Sequence, residues 1–119
     1  MKMKFAYLSL IVLAALSLIY SCSSNKAKVN PTAPTPAATV AIQNFAFVPA
    51  TVTIKVGNSV TWTNMDSAPH TATDLANAFD SGSLATGKTF NFTFNTAGTY
   101  TYHCLIHSMM KTAVVIVTN

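Results

Sequence analysis

Residues 98–110 read GTYTYHCLIHSMM and join a strand pattern to three side chains that bind soft metal ions. The two tyrosines and Cys104 alternate with other residues, and alternation with a period of two is typical of a β-strand. Cys104, His107 and Met110 follow at the spacing C-x2-H-x2-M, where this strand ends and before the next apolar run begins. We therefore expect all three side chains to come from one loop and its edges.

The sequence from residue 40 onward repeats the same strand pattern. Apolar residues alternate with polar ones in three further segments, at residues 51–56, 59–63 and 89–94. A short apolar run follows near the C-terminus, at residues 113–118. Valine, threonine and phenylalanine dominate these segments, as strands prefer. Turn residues separate them, and no segment has a convincing helical stripe. This pattern predicts an all-β fold, namely an antiparallel β-sandwich. About 80 residues are enough to form one hydrophobic core.

A fourth ligand has to come from another part of the chain, which contains three histidines. His70 lies in the loop after a predicted strand, whereas His103 alternates away from Cys104 on its own strand. Two imidazoles, one thiolate and a thioether suit copper that cycles between two oxidation states, while methionine is a poor ligand for zinc. The sequence thus predicts one copper ion held by His70, Cys104, His107 and Met110.

The N-terminal segment predicts export and attachment to a membrane. Two lysines precede an apolar run at residues 5–20, which is shorter than the roughly 20 residues that a membrane-spanning helix needs, so we expect residues 1–21 to be a signal peptide. The run ends in IYSC, which resembles a bacterial lipoprotein cleavage site and predicts that Cys22 is lipidated. An ordinary signal peptide with an incidental cysteine is the alternative. We expect a proline-rich tether over residues 22–38 and a copper-binding domain over residues 39–119.

The predicted anchor and the charge distribution limit the partners of this chain. Lipid attachment would place the domain on the periplasmic side of a bacterial membrane, and Ser23 after the cysteine favours the outer membrane. The net charge of +4 comes from scattered lysines without any arginine, so no clustered basic face is available for nucleic acid. If Cys22 carries lipid, Cys104 is left without a disulfide partner in an oxidising compartment, where a bound metal would occupy its sulfur.

Motifs spread over almost the whole predicted domain resemble the cupredoxin family of type 1 blue copper proteins, and most of all its plastocyanin and amicyanin branch. These motifs are Phe47-x-Pro49-x-x-Val52-x-Ile54-x-Val56-Gly57, Val60-x-Trp62-x-Asn64-x-Asp66-x-x-Pro69-His70-Thr71, Phe79-Asp80-Ser81-Gly82 and Gly98-Thr99-Tyr100-x-Tyr102-His103-Cys104-x-x-His107-x-x-Met110. The resemblance implies a Greek-key β-sandwich. It also implies that His70, Cys104 and His107 bind copper in one plane and that Met110, rather than Met109, is the axial ligand.

The resemblance further implies roles for residues around the ligands. The backbone N–H of Thr71 is expected to donate to the sulfur of Cys104, and such hydrogen bonds tune the potential of a metal site. Asn64 is expected to help hold the loop of the first histidine. His107 is expected to reach the surface through an apolar docking patch, where electrons enter or leave. Three residues of the ligand loop would enlarge that patch, namely Leu105, Ile106 and Met109.

The predicted function is the transfer of single electrons between redox partners by a monomeric carrier that docks with them weakly and transiently. No close pair of carboxylates and no Ser-His-Asp order suggests hydrolysis, and four ligands leave copper no obvious open position for a substrate, so we do not expect an enzyme. A periplasmic protein that binds and delivers copper is the main alternative, and copper retention against a mild chelator would separate the two. An accessory module of a larger oxidase or reductase and a β-sandwich with a degenerate site are further alternatives.

Overall fold

The computed structural model describes residues 37–119, which form a β-sandwich of eight strands without a helix. The strands are β1 (Ala38–Gln43), β2 (Ala46–Val48), β3 (Thr51–Lys55), β4 (Ser59–Asn64), β5 (Thr73–Asp74), β6 (Thr89–Thr93), β7 (Gly98–His103) and β8 (Ala113–Thr118). β1 thus begins one residue before the predicted domain boundary. The predicted signal peptide 1–21, the lipidation site Cys22 and all but the last two residues of the tether 22–38 lie outside the described residues. Within residues 37–119, no helix has the length and apolar character needed to cross a membrane.

Two four-stranded sheets form the sandwich, in the strand orders β2-β1-β4-β6 and β3-β8-β7-β5. Each sheet contains one parallel pair: Val40 of β1 lies opposite Trp62 of β4, and Val52 of β3 lies opposite Val115 of β8. The other neighbouring strands are antiparallel. The predicted all-β sandwich is confirmed, but its sheets are mixed rather than purely antiparallel. The reason is that the chain crosses to the opposite sheet for β3 before it returns as β4, which then runs in the same direction as β1.

Side chains from alternate positions of both sheets meet in one apolar core. The buried aliphatic residues include Val40, Ile42, Val52, Ile54, Val60, Val115 and Val117. Aromatic rings fill the centre, where the Trp62 ring centroid lies 5.1 Å from that of Phe79 and 5.4 Å from that of Tyr102. Burial of each large apolar side chain contributes roughly 1.5–3 kcal/mol to stability. This packing fixes the positions of the strand ends from which the site loops emerge.

Two polar atoms inside this core have no hydrogen-bond partner among residues 37–119: Nε1 of Trp62 and the hydroxyl oxygen of Tyr102. Burial raises the pKa of Tyr102 to about 12, because an ionised phenolate would lose its hydration. The nearby indole N–H of Trp62 offsets only part of this rise. The Tyr102 hydroxyl therefore makes no hydrogen bond of good geometry, and the Trp62 N–H compensates only part of its desolvation, which costs free energy of folding.

Three loops come together at one end of the sandwich. The loop after β4 carries His70, and the loop between β7 and β8 begins at Cys104. The third loop joins β1 to β2, and it turns at Asn44 and Phe45 with φ values of 53° and 56°. Both residues are therefore in the left-handed region, which residues other than glycine seldom adopt. This turn brings the Phe45 ring against the ligand histidines.

Candidate metal centre

Three potential metal ligands from two loops form a compact triangle. The Nδ1 atoms of His70 and His107 are 3.1 Å apart, and the Sγ atom of Cys104 lies 3.7 Å and 3.8 Å from them, respectively. A point equidistant from the three atoms lies about 2.1 Å from each, which is the length of a bond between a transition metal and an imidazole nitrogen. His70 and Cys104 are fully buried, whereas His107 is half-buried. The triangle can therefore hold one metal ion, and the site approaches solvent on the side of His107.

The first histidine is held by its own backbone and by Asn64. His70 and Leu84 exchange two backbone hydrogen bonds, of 3.1 Å and 2.7 Å, which tie the loop after β4 to the segment before β6. Asn64 is fully buried at the end of β4, and its side-chain amide donates to the carbonyl oxygens of Ala68 and Leu84, each at 2.8 Å. Its Oδ1 accepts the backbone N–H of Asp66 at 2.9 Å. The Asn64 side chain thus links the end of β4 to Asp66 and Ala68 of the first ligand loop and to Leu84.

The cysteine sulfur is fixed by a hydrogen bond from the first ligand loop. The backbone N–H of Thr71 donates to the Sγ atom of Cys104 at 3.3 Å. The Thr71 hydroxyl oxygen accepts the backbone N–H of Leu105 at 2.9 Å and the hydroxyl of Thr73 at 3.0 Å. Hydrogen bonds therefore connect the two ligand loops directly beside the sulfur atom. A donor to a metal-bound thiolate also withdraws charge from it and so tunes the redox potential of the metal.

Asp66 is a site residue that the sequence analysis did not assign. Because Nδ1 of His70 faces the other ligand atoms, its Nε2–H is free to donate, and it does so to Oδ2 of Asp66 at 2.9 Å. The same carboxylate accepts the backbone N–H groups of Asn44 and Phe45, at 2.7 Å and 2.9 Å. The N–H of Phe45, with smaller contributions from Asn44 and His70, holds the pKa of Asp66 below its usual value in spite of some desolvation. A carboxylate on the outer nitrogen of a ligating histidine fixes both its tautomer and its orientation.

Phe45 is the second residue that the sequence analysis missed. Its ring centroid lies 5.2 Å from the His70 ring at an interplanar angle of 83° and 5.0 Å from the His107 ring at 85°. Both contacts are edge-to-face. Nothing in the sequence distinguishes this phenylalanine from core residues; the available signal was Asn44 before it, which favours a left-handed turn.

Met110 and Met109 take opposite positions at the end of the ligand loop. Met110 is 6% exposed, and its backbone N–H donates to the carbonyl oxygen of His107 at 3.0 Å, which closes a turn at the end of the ligand loop. Met109 is 87% exposed. Met110 is therefore the methionine that belongs to the buried site. The predicted docking residues Leu105 and Ile106 are exposed like Met109, and they lie on the loop that carries His107.

The four side chains fit copper. Two imidazoles and a thiolate arranged as a triangle, together with a thioether, are the donor set that copper prefers in electron-transfer sites, and the soft sulfur atoms favour the reduced ion. Zinc sites, by contrast, use thiolates, imidazoles and carboxylates rather than methionine. In residues 37–119, fold and site together define a small β-sandwich with a His₂-Cys-Met copper centre.

This chain belongs to the family of cupredoxin-like domains, whose model matches residues 9–117. It is similar to amicyanin-alpha of Methylorubrum extorquens, with 31% identity over 109 residues that cover 87% of this chain and 92% of the relative. It is also similar to chloroplastic plastocyanin of Tetradesmus obliquus, with 40% identity over 72 residues, 51% of this chain and 50% of the relative. A solved structure described as a novel purple cupredoxin from Nitrosopumilus maritimus superposes with a TM-score of 0.63 at 32% identity, covering 68% of this chain and 99% of that chain. The resemblance stated from the sequence motifs is confirmed.

Proposed function

We propose that this protein is a one-electron carrier and not an enzyme. The observation that carries the proposal is the preformed triangle of His70, Cys104 and His107, whose spacing already fits a copper ion. When bound there, copper supplies the exchange of a single electron between its two oxidation states. A carrier needs a site that changes little between those states, because every atom that moves adds to the barrier for electron transfer.

The residues around the ligands are arranged to prevent such movement. Asp66 holds the outer nitrogen of His70, and Thr71 holds the sulfur of Cys104. Both ligands are buried, so water is excluded from most of the site. The first ligand loop is also tied to the segment before β6 by the two backbone hydrogen bonds between His70 and Leu84. The protein therefore imposes its geometry on the ion instead of adapting to it.

Electrons are proposed to enter and leave at His107, the ligand that is half-buried. Leu105, Ile106 and Met109 are exposed apolar residues on the same loop, and an exposed apolar cluster marks a surface that contacts another molecule. The contact would be transient, because a carrier has to release each partner after one electron. The proposed working state is a monomer that meets its redox partners through this apolar patch.

Electron self-exchange between two copies tests the patch without a known partner. Ile106→Asp places a charge on the patch, and two such charges oppose each other when two copies meet there, so we expect the self-exchange rate measured by NMR to fall about tenfold or more. Val56→Asp is the matched control, because Val56 is similarly exposed and its backbone pairs with Thr118, at the other end of β8 from the ligand loop. Equal rates in the two variants would refute docking at Ile106.

Copper delivery is the alternative function, and retention of the ion decides between the two. A buried thiolate site should hold copper against a mild chelator, and Cys104 is 2% exposed. The proposal predicts that Cu(I) is captured slowly by a chelator such as bicinchoninate, with little dependence on chelator concentration. Capture within the mixing time would favour delivery.

We further propose that the domain faces the periplasm and is anchored by lipid on Cys22 to a bacterial membrane, with the outer membrane favoured. The support is the sequence alone: a basic start, an apolar run, the IYSC ending and Ser23. Metabolic labelling with a clickable fatty acid tests this directly. Label on the wild-type protein that disappears in Cys22→Ala supports the anchor, and an unlabelled, freely released protein contradicts it.

A further inference from the structure

We propose that Phe45 is a positioning residue of the metal centre, which clamps the two ligating imidazoles and in particular restrains His107. This inference rests on the proposed function, since it concerns the same site. Phe45 is neither a ligand nor adjacent to one in the sequence. Its role follows from three independent features of the structure.

The first feature is the contact itself. The Phe45 ring lies 5.2 Å from the His70 ring and 5.0 Å from the His107 ring, and it is nearly perpendicular to both, at 83° and 85°. Aromatic rings attract one another in this edge-to-face arrangement when their centroids are about 4.5–7 Å apart. One ring therefore contacts both histidines, whose own centroids are 4.7 Å apart. Rotation of either imidazole would break a favourable contact with Phe45.

The second feature is that the two histidines are supported unequally. His70 is fully buried, and Asp66 accepts its Nε2–H. His107 is half-buried, and within residues 37–119 its Nε2 atom makes no hydrogen bond. Its ring contacts among aromatic and histidine side chains in that part of the chain are to Phe45 and His70. Asp66 restrains the buried ligand His70, and Phe45 provides the corresponding restraint for His107 at the surface.

The third feature is the unusual backbone that presents the ring. Phe45 has a φ of 56°, and a bulky residue in the left-handed region is a genuine outlier that persists only when its surroundings enforce it. Asp66 enforces it, because its carboxylate accepts the N–H groups of both Asn44 and Phe45 while it holds His70. Phe45 as a whole residue also remains 46% exposed, so burial in the core does not explain its position. The hairpin turn is coupled to the first ligand through a single carboxylate.

The clamp has a specific consequence for the metal centre. With Phe45 in place, His107 keeps one orientation whether or not copper is bound and in either oxidation state of copper. Without the ring, the His107 side chain is free to rotate about its side-chain torsions towards solvent. We therefore expect loss of Phe45 to loosen one ligand while the backbone hydrogen bonds of the sandwich remain.

The test compares four variants of the full chain with the wild type. Phe45→Ala and Phe45→Leu remove the ring, and the leucine variant retains apolar bulk in case the alanine variant does not fold. Phe45→Tyr keeps the ring and can direct its hydroxyl to solvent, so it should restore wild-type behaviour. Phe92→Leu is the control for lost aromatic packing away from the metal centre, because Phe92 contacts Phe79 and Phe94 instead of the histidines.

NMR relaxation of the His107 ring, recorded in the metal-free and Cu(I) forms, is the first readout. We expect increased ring motion in Phe45→Ala and Phe45→Leu, and wild-type order in Phe45→Tyr and Phe92→Leu. The second readout is the rate at which a chelator captures Cu(I), which should rise about tenfold when both aromatic contacts are lost. Unchanged His107 motion and unchanged copper capture in both ring-removing variants would overturn the proposal, even if their melting temperatures fell.

The same experiment separates this inference from the proposed function. The visible spectrum of the copper-loaded wild type reports on the function by itself, and a missing thiolate-to-copper band would contradict it. Motion of the His107 ring in the metal-free form does not depend on that result. It therefore supports or refutes the clamp whatever the copper chemistry is.

Discussion

Asp66→Asn should destabilise the metal-free protein far more than the loss of one surface charge explains. Oδ1 of Asp66 accepts the Asn44 N–H, while Oδ2 accepts both the Phe45 N–H and the Nε2–H of His70. An asparagine has one oxygen and one NH₂ group in place of the two carboxylate oxygens. Its NH₂ group would therefore face at least one of the N–H donors that Asp66 now accepts. Hydrogen bonds to charged groups contribute about 1.5–3 kcal/mol each, and the Asp66 side chain is only 12% exposed. We expect a loss of about 2 kcal/mol in the free energy of unfolding.

Urea-induced unfolding of the metal-free protein at pH 7 measures this loss, and thermal unfolding should show a decrease of about 8–16 °C for a domain of this size. Asp80→Asn is the matched control. It removes the same charge, but Thr73 and Gly82 both donate to Oδ1 of Asp80, so a single amide oxygen can retain both bonds. Similar losses in Asp66→Asn and Asp80→Asn would refute the reasoning from the two oxygens.

The pH dependence provides a further check on Asp66. Because its pKa in the folded protein is below the ordinary value of 3.8, its stabilising effect is fully present above that value. The effect is lost as the pH falls through the lower, folded pKa. The difference in stability between wild type and Asp66→Asn should therefore be constant near neutral pH and shrink below pH 3.8. A difference that grows in acid would contradict the assigned direction of the shift.

Two other substitutions test polar groups behind the ligands. Thr71→Val keeps the shape of the side chain but removes the oxygen that accepts the Leu105 N–H, so we expect a loss of about 1–3 kcal/mol in urea unfolding, whereas Thr71→Ser should retain most of the stability. Tyr102→Phe removes a buried hydroxyl without a partner, so the free energy of unfolding at pH 7 should be unchanged or higher. Because folding raises the Tyr102 pKa from 10.0 to about 12, the wild type should also lose stability relative to Tyr102→Phe as the pH rises through that interval.

The sequence predicted most of the sandwich because its strands have a strong period-two pattern. Segments such as 59–63 and 113–118 agree closely with β4 (Ser59–Asn64) and β8 (Ala113–Thr118). The parallel pairing of β1 with β4 was not predicted, because alternation within a strand carries no information about its neighbour in the sheet. The two-residue strand β5 (Thr73–Asp74) is too short for periodicity to be visible, and it exists because β7 provides a paired edge.

The site was predictable where its residues are close in the chain. Cys104, His107 and Met110 lie within one loop, so their spacing alone indicated a metal site. Asp66 and Phe45 were missed for a physical reason. They are 21 residues apart, and they meet only because a left-handed turn aims one backbone N–H at a carboxylate from another loop. No local sequence pattern indicates this contact between Phe45 and Asp66.

The visible absorption spectrum of the protein with one equivalent of Cu(II) tests the central claim most directly. The proposed site predicts an intense blue, green or purple band from charge transfer between the Cys104 thiolate and copper. That band should bleach on reduction, return on oxidation and be absent from Cys104→Ala. A nearly colourless complex that releases copper to a mild chelator, or a band that survives in Cys104→Ala, would contradict an electron carrier built on this cysteine.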